Sequence, residues 1–379
     1  MTELLRSLFE SCVEIHPEDD ILKIFKALPH CKGLLLFADE SSRPILLIIS
    51  ADIRRLAVNR LSEDATVSGR RVKLKEITRY ILSKCTYNDF ASTFEHYKSA
   101  KALFPSRLAD HVNLPAINFI KINTGAKWPA FTVANDISHD SKTKYFGPFQ
   151  SRKSASDFID ILENAFALCK KYCLIDDPQK AASCPYYQMG TCKAPCLGKL
   201  SKDQYLEQVN DAVAAASGDW PRLVIKLQGG MKSCASQMQF EQAQLIKKQI
   251  ESLSQLSKPE FDFVSELSQM NLLHLDIGPK IKVPGKKTKD QLFMPFMILG
   301  GIIHKLPDIA AGEVQQIFDS PLGPAPDIDL VHQMSISAFS LYRHCRSGLW
   351  LNLARLSGHE ALEKITQYLA APKPSSEHE

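Results

Sequence analysis

Residues 169–198 read CKKYCLIDDPQKAASCPYYQMGTCKAPCLG and hold five of the chain's ten cysteines. Ten, seven and three residues separate Cys173, Cys184, Cys192 and Cys196, and Cys169 lies one helical turn before Cys173. That spacing suits a loop closed around one centre. Thiolates are soft donors, so four that converge hold either a tetrahedral zinc ion or a cubane iron-sulfur cluster, and the residues themselves do not choose between the two. Four unrelated thiols or two disulfides are the plainer alternatives. Disulfides need an oxidising compartment, and nothing in the chain points to one. Pro185, Gly190, Pro195 and Gly198 punctuate the stretch, so loop and short turns are expected, tied together by the metal. Such a site contributes folding energy outright, about 10–16 kcal/mol apparent for zinc in small finger peptides.

Working outward, SRKSASDFIDILENAFALC (151–169) reads as a capped amphipathic helix with Phe158, Ile161, Leu162 and Phe166 on one face. Before it, INFIKIN (117–123) and AFTVAN (130–135) alternate like strands joined by GAKWP. Lys121, Lys127, Lys142, Lys144, Arg152 and Lys153 surround Trp128, Tyr145 and Phe146. This pattern is either a nucleic-acid face or a solvated basic surface over an aromatic core. After the cysteines, SKDQYLEQVNDAVAAAS is helical to near Gly218. From Leu223 to Leu256, Met231, Ala235, Met238, Ala243, Ile246 and Ile250 fall at helical spacing, as two short antiparallel helices would bury them. A hairpin that small is not stable by burial alone and favours a partner or a neighbouring domain. Cys234 there reads as a small apolar filler.

The run KYFGPFQSRKSASDFIDILENAF, with its YFGPF from Tyr145 to Phe149, and the C-x7-C-x3-C spacing of Cys184, Cys192 and Cys196 closely resemble the central region of UvrC, the incision subunit of bacterial nucleotide excision repair. The first cysteine interval is somewhat shorter than the family's. The resemblance implies an iron-sulfur cluster, with Zn²⁺ as the alternative, held by Cys173, Cys184, Cys192 and Cys196. MQFEQAQLIKKQI (238–250) resembles the UVR motif, a helical hairpin with a central F-E-x-A that pairs with UvrB. Phe240, Glu241 and Ala243 match it and are the implied partner contacts. The implied substrate is damaged double-stranded DNA, with Lys142, Lys144, Arg152 and Lys153 as candidate DNA contacts.

Toward the N-terminus, residues 1–30 read as one or two short amphipathic helices, with Ile21, Ile24, Phe25 and Leu28 at helical spacing. GLLLFADESSRPILLII (33–49) reads as a hairpin, and a helix is expected from Ala51 to Leu61. Arg70, Arg71, Lys73 and Lys75 form a basic cluster, ITRYILSKC (77–85) is strand or helix, and Asn88 to Leu103 is helical. This is where the UvrC family carries its GIY-YIG nuclease domain. There, two tyrosines, an arginine and a glutamate surround the scissile phosphate. Water must lose a proton, a divalent cation must neutralise charge, and a guanidinium must hold the oxyanion. Here Gly33, Leu34 and Leu35 put leucine in the first tyrosine's place, and Leu46 to Ile49 lacks the second tyrosine and its glycine. Arg54 and Glu95 match the other two positions. Leucine relays no proton, so the domain is expected to be kept for shape rather than incision, and Mg²⁺ is implied only if the nuclease works. Charges on exposed helix faces are ordinarily just solvated.

Beyond Lys258 the resemblance thins. LLHLDIG and FMPFMILGGIIHKL read as strands, folded at Gly300-Gly301, with a basic PKIKVPGKKTKDQ loop between them. The second, ribonuclease-H type nuclease domain and the helix-hairpin-helix tail of the full family chain are not apparent. A helix is expected from Leu330 to Leu356, where His344 and Cys345 read as core and surface rather than ligands.

At 379 residues the chain has room for several small domains, and 45% apolar content is ordinary for a globular protein. A net charge of +4 permits nucleic-acid binding without demanding it. No run has the roughly 18–20 apolar residues of a membrane span. MTELLRSLFESCVEIHPEDD carries acids where a signal peptide needs apolar residues, so a cytoplasmic, membrane-free protein is expected. The expected class is α+β multidomain: a degenerate GIY-YIG-like α/β domain (1–103), a linker sheet and helix (104–166), a cysteine-cluster loop (167–218), a UVR helical hairpin (219–257), a C-terminal α+β remnant (258–370) and a disordered tail (371–379). The functional expectation is a UvrC-like repair protein that binds a UvrB-like protein and DNA with incision lost or impaired. Its alternatives are a divergent metal-dependent nuclease using Arg54 and Glu95, and an iron-sulfur or zinc adaptor binding another protein.

Overall fold

The N-terminal region runs α1 (Glu3–Leu8), β1 (Ser11–Glu14), α2 (Ile21–Ala27), β2 (Gly33–Ala38), β3 (Pro44–Ser50), α3 (Ile53–Ser62), a small hairpin of β4 (Asp64–Val67) and β5 (Arg70–Lys73), α4 (Leu74–Ile77), β6 (Tyr80–Cys85) and α5 (Asp89–Leu103). The computed structural model describes residues 3–62, 64–67, 70–138, 140–171, 184–189, 191–285, 288–344 and 346–371. The main N-terminal sheet is antiparallel, in the order β1-β6-β2-β3. β2 is apolar throughout because both of its faces are covered. Alternate strand residues point to opposite sides: Leu35 and Phe37 meet Ile24, Leu28, Ile53 and Ala57 from α2 and α3, whereas Leu34 and Leu36 meet Leu5 and Ala100 from α1 and α5. Gly33 is required, since a Cβ there would lie 2.0 Å from the Lys84 carbonyl oxygen.

The expected hairpin at 33–49 is therefore β2–β3, and the undecided ITRYILSKC is strand β6. β1, a four-residue edge strand, was not expected; SCVE is too short and too polar to show a period. Cys31 and Cys85 are joined by a disulfide, although no oxidising-compartment signal points to one. The β2–β6 register sets Gly33 opposite Cys85 and so brings the two cysteines together.

After α6 (Leu108–His111) come β7 (Phe119–Asn123), β8 (Phe131–Ala134) and β9 (Thr143–Gly147), in a sheet of order β10-β9-β7-β8 with β10 (Ser265–Glu266). α7 (Arg152–Phe166) begins at Ser151, whose Oγ accepts from the Ser154 N–H at 3.1 Å. Its Phe158, Ile161, Leu162 and Phe166 are buried with Ile120, Ile122 and Phe146 of the sheet, as the spacing predicts. Next come α8 (Pro185–Gln188), α9 (Lys202–Ala214) and a hairpin of α10 (Trp220–Ser236) and α11 (Phe240–Ser254).

The C-terminal region holds β11 (Asn271–Lys282), β12 (Lys289–Leu299), β13 (Ile302–Lys305), β14 (Ile309–Ala310), α12 (Gln316–Asp319), α13 (Leu330–Leu341), β15 (Leu349–Asn352) and α14 (Gly358–Ala370). Its sheet order is β13-β12-β11-β15, with β14 on β12. The helix expected to reach Leu356 ends at Leu341. Gly348 then turns the chain at φ 72° into β15, and of the pair expected as core and surface only His344 lies among the described residues. Residues 372–379 of the expected tail also lie outside them.

α5 joins the N- and C-terminal regions. Its cap, Asn88, accepts from the Ala91 N–H through Oδ1 at 2.8 Å and donates through Nδ2 to the Ile277 carbonyl of β11 at 2.9 Å. Phe90 packs edge-on to Phe296 and Trp350, at centroid distances of 4.9 and 5.5 Å. Tyr97 Oη and His332 Nδ1 are 2.7 Å apart. The molecule is mixed helix and sheet, and among the described residues no helix is long and apolar enough to cross a membrane.

Candidate functional site

The cysteine loop hangs from the end of α7. Ala167, in the left-handed region at φ 50°, caps the helix and turns the chain so that Cys169 returns to the loop. Cys169, Cys184, Cys192 and Cys196 are all buried, from 4% to 8% exposed. Cys169 and Cys192 lie in one buried cluster. Their interaction pulls the Cys192 thiol below its ordinary range and, with burial, pushes Cys169 up. Cys196 is raised first by burial and then by the nearby sulfurs of Cys192 and Cys184. Cys173 lies outside the described residues. Among the described residues no three ligand-type side chains converge on one point. Buried thiols with one acidified member have the donor chemistry a soft metal uses.

Arg54 and Glu95 are placed separately. Arg54 Nε donates to the Leu28 carbonyl at 2.9 Å, and its guanidinium lies over the Phe25 ring, 5.0 Å from the centroid. Glu95 is 8% exposed on α5. Its carboxylate accepts from Lys84 Nζ of β6 at 2.7 Å and pairs with Lys98 Nζ at 3.4 Å. Burial raises the Glu95 carboxyl, but Lys84 and Lys98 outweigh burial and leave it below its ordinary range. Two ammonium groups thus occupy the positions around this carboxylate.

Of the four basic residues, Lys144 pairs with buried Glu266 at 3.0 Å and Lys153 with Asp157 at 3.2 Å. Lys142 and Arg152 are exposed, and Lys142 lies beside Asp140, whose Oδ1 accepts from the Lys142 backbone N–H at 3.0 Å. The α10–α11 hairpin is anchored at its base, where Leu253 is fully buried and Ser252 Oγ donates to the Ile161 carbonyl of α7 at 3.2 Å. Its free end turns through Met238 at φ 57°. There Met238 is 79% exposed and Phe240 66%. Ile225 and Leu245, elsewhere along the hairpin, are exposed too. Glu241 is exposed and Ala243 half-buried. Of the residues expected between the helices, Met231, Ala243, Ile246 and Ile250 are half-buried, whereas Ala235 and Met238 face outward because they sit where the helices end.

A family model described as UvrC/Cho excinuclease, middle domain, matches residues 117–215. The UvrABC system protein C of Thermoanaerobacter sp. (strain X514) is 27% identical over 241 residues, 62% of this chain and 38% of the relative. That of Leptospira biflexa serovar Patoc is 30% identical over 157 residues, 41% of this chain and 25% of the relative. That of Acetivibrio thermocellus is 23% identical over 313 residues, 79% of this chain and 48% of the relative. The chain is similar to UvrABC system protein C over as much as 79% of its length, and its family-model match is to the middle domain alone. It spans less than half the length of the relatives it matches, and no solved structure matches it.

The UvrC middle-domain match runs from β7 through α7 and the cysteine loop to the end of α9. Within it, Cys169 is the residue that spacing alone passed over, because a linear count does not show the left-handed turn at Ala167. Lys98, three residues after Glu95, was visible as an i,i+3 partner; Lys84 was not, since it arrives from a strand whose identity was undecided. On β11, His274 and Asp276 are buried polar residues that no motif marked. Burial pushes His274 down to about 3 and raises Asp276.

Proposed function

We propose that this UvrC-like chain is a binding component of nucleotide excision repair, which docks a UvrB-like protein through the α10–α11 hairpin and contacts damaged duplex DNA without incising it through Arg54 and Glu95. The observation that carries the reading is the free end of the hairpin, where Phe240 and Met238 face solvent beside Glu241. Large apolar side chains displayed together on an anchored hairpin mark an interaction surface rather than a core. The absence of incision is supported by the two lysines that hold Glu95 and by the separate engagement of Arg54. The thiols Cys169, Cys173, Cys184, Cys192 and Cys196 are the available ligands for an iron-sulfur cluster or zinc ion, whose part would be to tie the loop to α7. Titration calorimetry with a UvrB-like protein tests the reading. Saturable binding that Phe240→Ala weakens by at least tenfold supports it, and binding indifferent to Phe240→Ala removes the hairpin from the interface.

A further inference from the structure

The β11–β12 hairpin outgrows its sheet. β15 pairs with Leu272–Leu275, β13 with Phe296–Leu299 and β14 with Leu292 and Phe293. The far ends, Lys280–Lys282 and Lys289–Gln291, pair only with each other among the described residues. The register shifts between Ile277 and Lys280, as at a β-bulge, where a strand locally bends and twists more strongly. Past it, Lys280 stands opposite Gln291, Ile281 opposite Asp290, and Lys282 opposite Lys289. Residues opposite one another share a face, as do alternate residues along a strand. One face of the ribbon therefore carries Lys280, Lys282 and Lys289 with neutral Gln291, while Asp290 and Ile281 belong to the other.

All three lysines are exposed, and none has an acidic partner among the described residues. Like charges directly opposite, as at Lys282 and Lys289, destabilise a strand pair, so the fold itself gives no reason for them. A polyanion does. Strands about 4.8 Å apart make a ribbon narrow enough for a major groove about 12 Å wide. Each ammonium set against a phosphate releases a counterion. An acidic protein surface offers no comparable regular row of charges.

We propose that the projecting end of the β11–β12 ribbon is a duplex-DNA contact arm, with Lys280, Lys282 and Lys289 set against backbone phosphates. It rests on the DNA-binding reading above and adds a surface that the linker lysines do not include. The test is fluorescence anisotropy of the full chain with a short DNA duplex across a salt series. The comparison is the wild type, the triple variant Lys280→Gln/Lys282→Gln/Lys289→Gln and the linker variant Lys142→Gln/Arg152→Gln. The ribbon variant should flatten the slope of log affinity against log salt by about 2–3, at roughly 0.9 for each phosphate no longer neutralised. Lys282→Gln alone should take about one unit. The thermal midpoint should hold or rise, because like-charge repulsion is removed. An unchanged slope in the triple variant, with a flattened slope in the linker variant, overturns the arm and leaves the DNA reading standing. A wild type that does not bind duplex even at low salt overturns both.

Discussion

Two helical elements of this chain carry aromatic residues to opposite ends. α5 is covered on two sides, with Ala100 against the N-terminal sheet and Phe90, Phe94 and Tyr97 in the C-terminal cluster. Glu95, on the same helix, is closed off by two lysines. The α10–α11 hairpin is held only at its base and turns its large apolar residues outward. Phe90 is 1% exposed and Phe240 66%, so equal side chains have unequal work. The first holds two regions together; the second is available to another molecule. A feature matched by family resemblance, such as Glu95, is thus part of a wall, whereas the family-like hairpin retains the exposure a docking element needs.

The contrast can be broken most severely at Phe90. Phe90→Ala removes a ring from between Phe296, Trp350 and His274 and should cost about 3–5 kcal/mol. Urea denaturation should show the N- and C-terminal regions losing stability together; a loss confined to one of them would mean α5 does not couple them. Phe240→Ala should lower affinity for a UvrB-like protein by about 2 kcal/mol yet change the stability of the free chain by no more than about 0.5 kcal/mol. A large fall in the free chain's stability would place Phe240 in a core instead.

Glu95→Gln sharpens the account of the wall. It leaves Lys84 and Lys98 without a counter-charge and should cost about 1–3 kcal/mol at neutral pH. The folded pKa of Glu95 lies below its unfolded value. Its contribution is therefore fully present above the ordinary carboxylate range and is lost as pH falls through the lowered folded value. Unfolding measured from pH 7 into that acid range should show the difference between wild type and Glu95→Gln closing. A difference that stays constant would mean the lysine pairs do not set the protonation of Glu95.

Local signals carried much of the architecture. Apolar runs flanking DESSRP marked β2 and β3, the serine cap and helical spacing marked α7, and Gly300-Gly301 marked the β12–β13 turn. β6 stayed ambiguous because a central strand covered on both faces loses its alternation. The false extension of α13 came from following an apolar run past Arg346, Ser347 and Gly348, a turn signal that outweighs hydrophobicity. The cysteine loop was legible as a cluster but not as a geometry. Which cysteines share the buried cluster depends on the turn at Ala167, and the partners of Glu95 depend on a strand neighbour; neither is a property of spacing.

The most direct test of the claim that this chain binds rather than cuts is a nicking assay. Anaerobically purified protein, a UvrB-like protein and Mg²⁺ are incubated with lesion-bearing duplex, with Glu95→Ala as the control. A protein–DNA complex with no strand cleavage above that control is the predicted result. Mg²⁺-dependent nicking by the wild type that disappears in Glu95→Ala would contradict the account, because it would require Glu95 to leave both lysines and act at a phosphate.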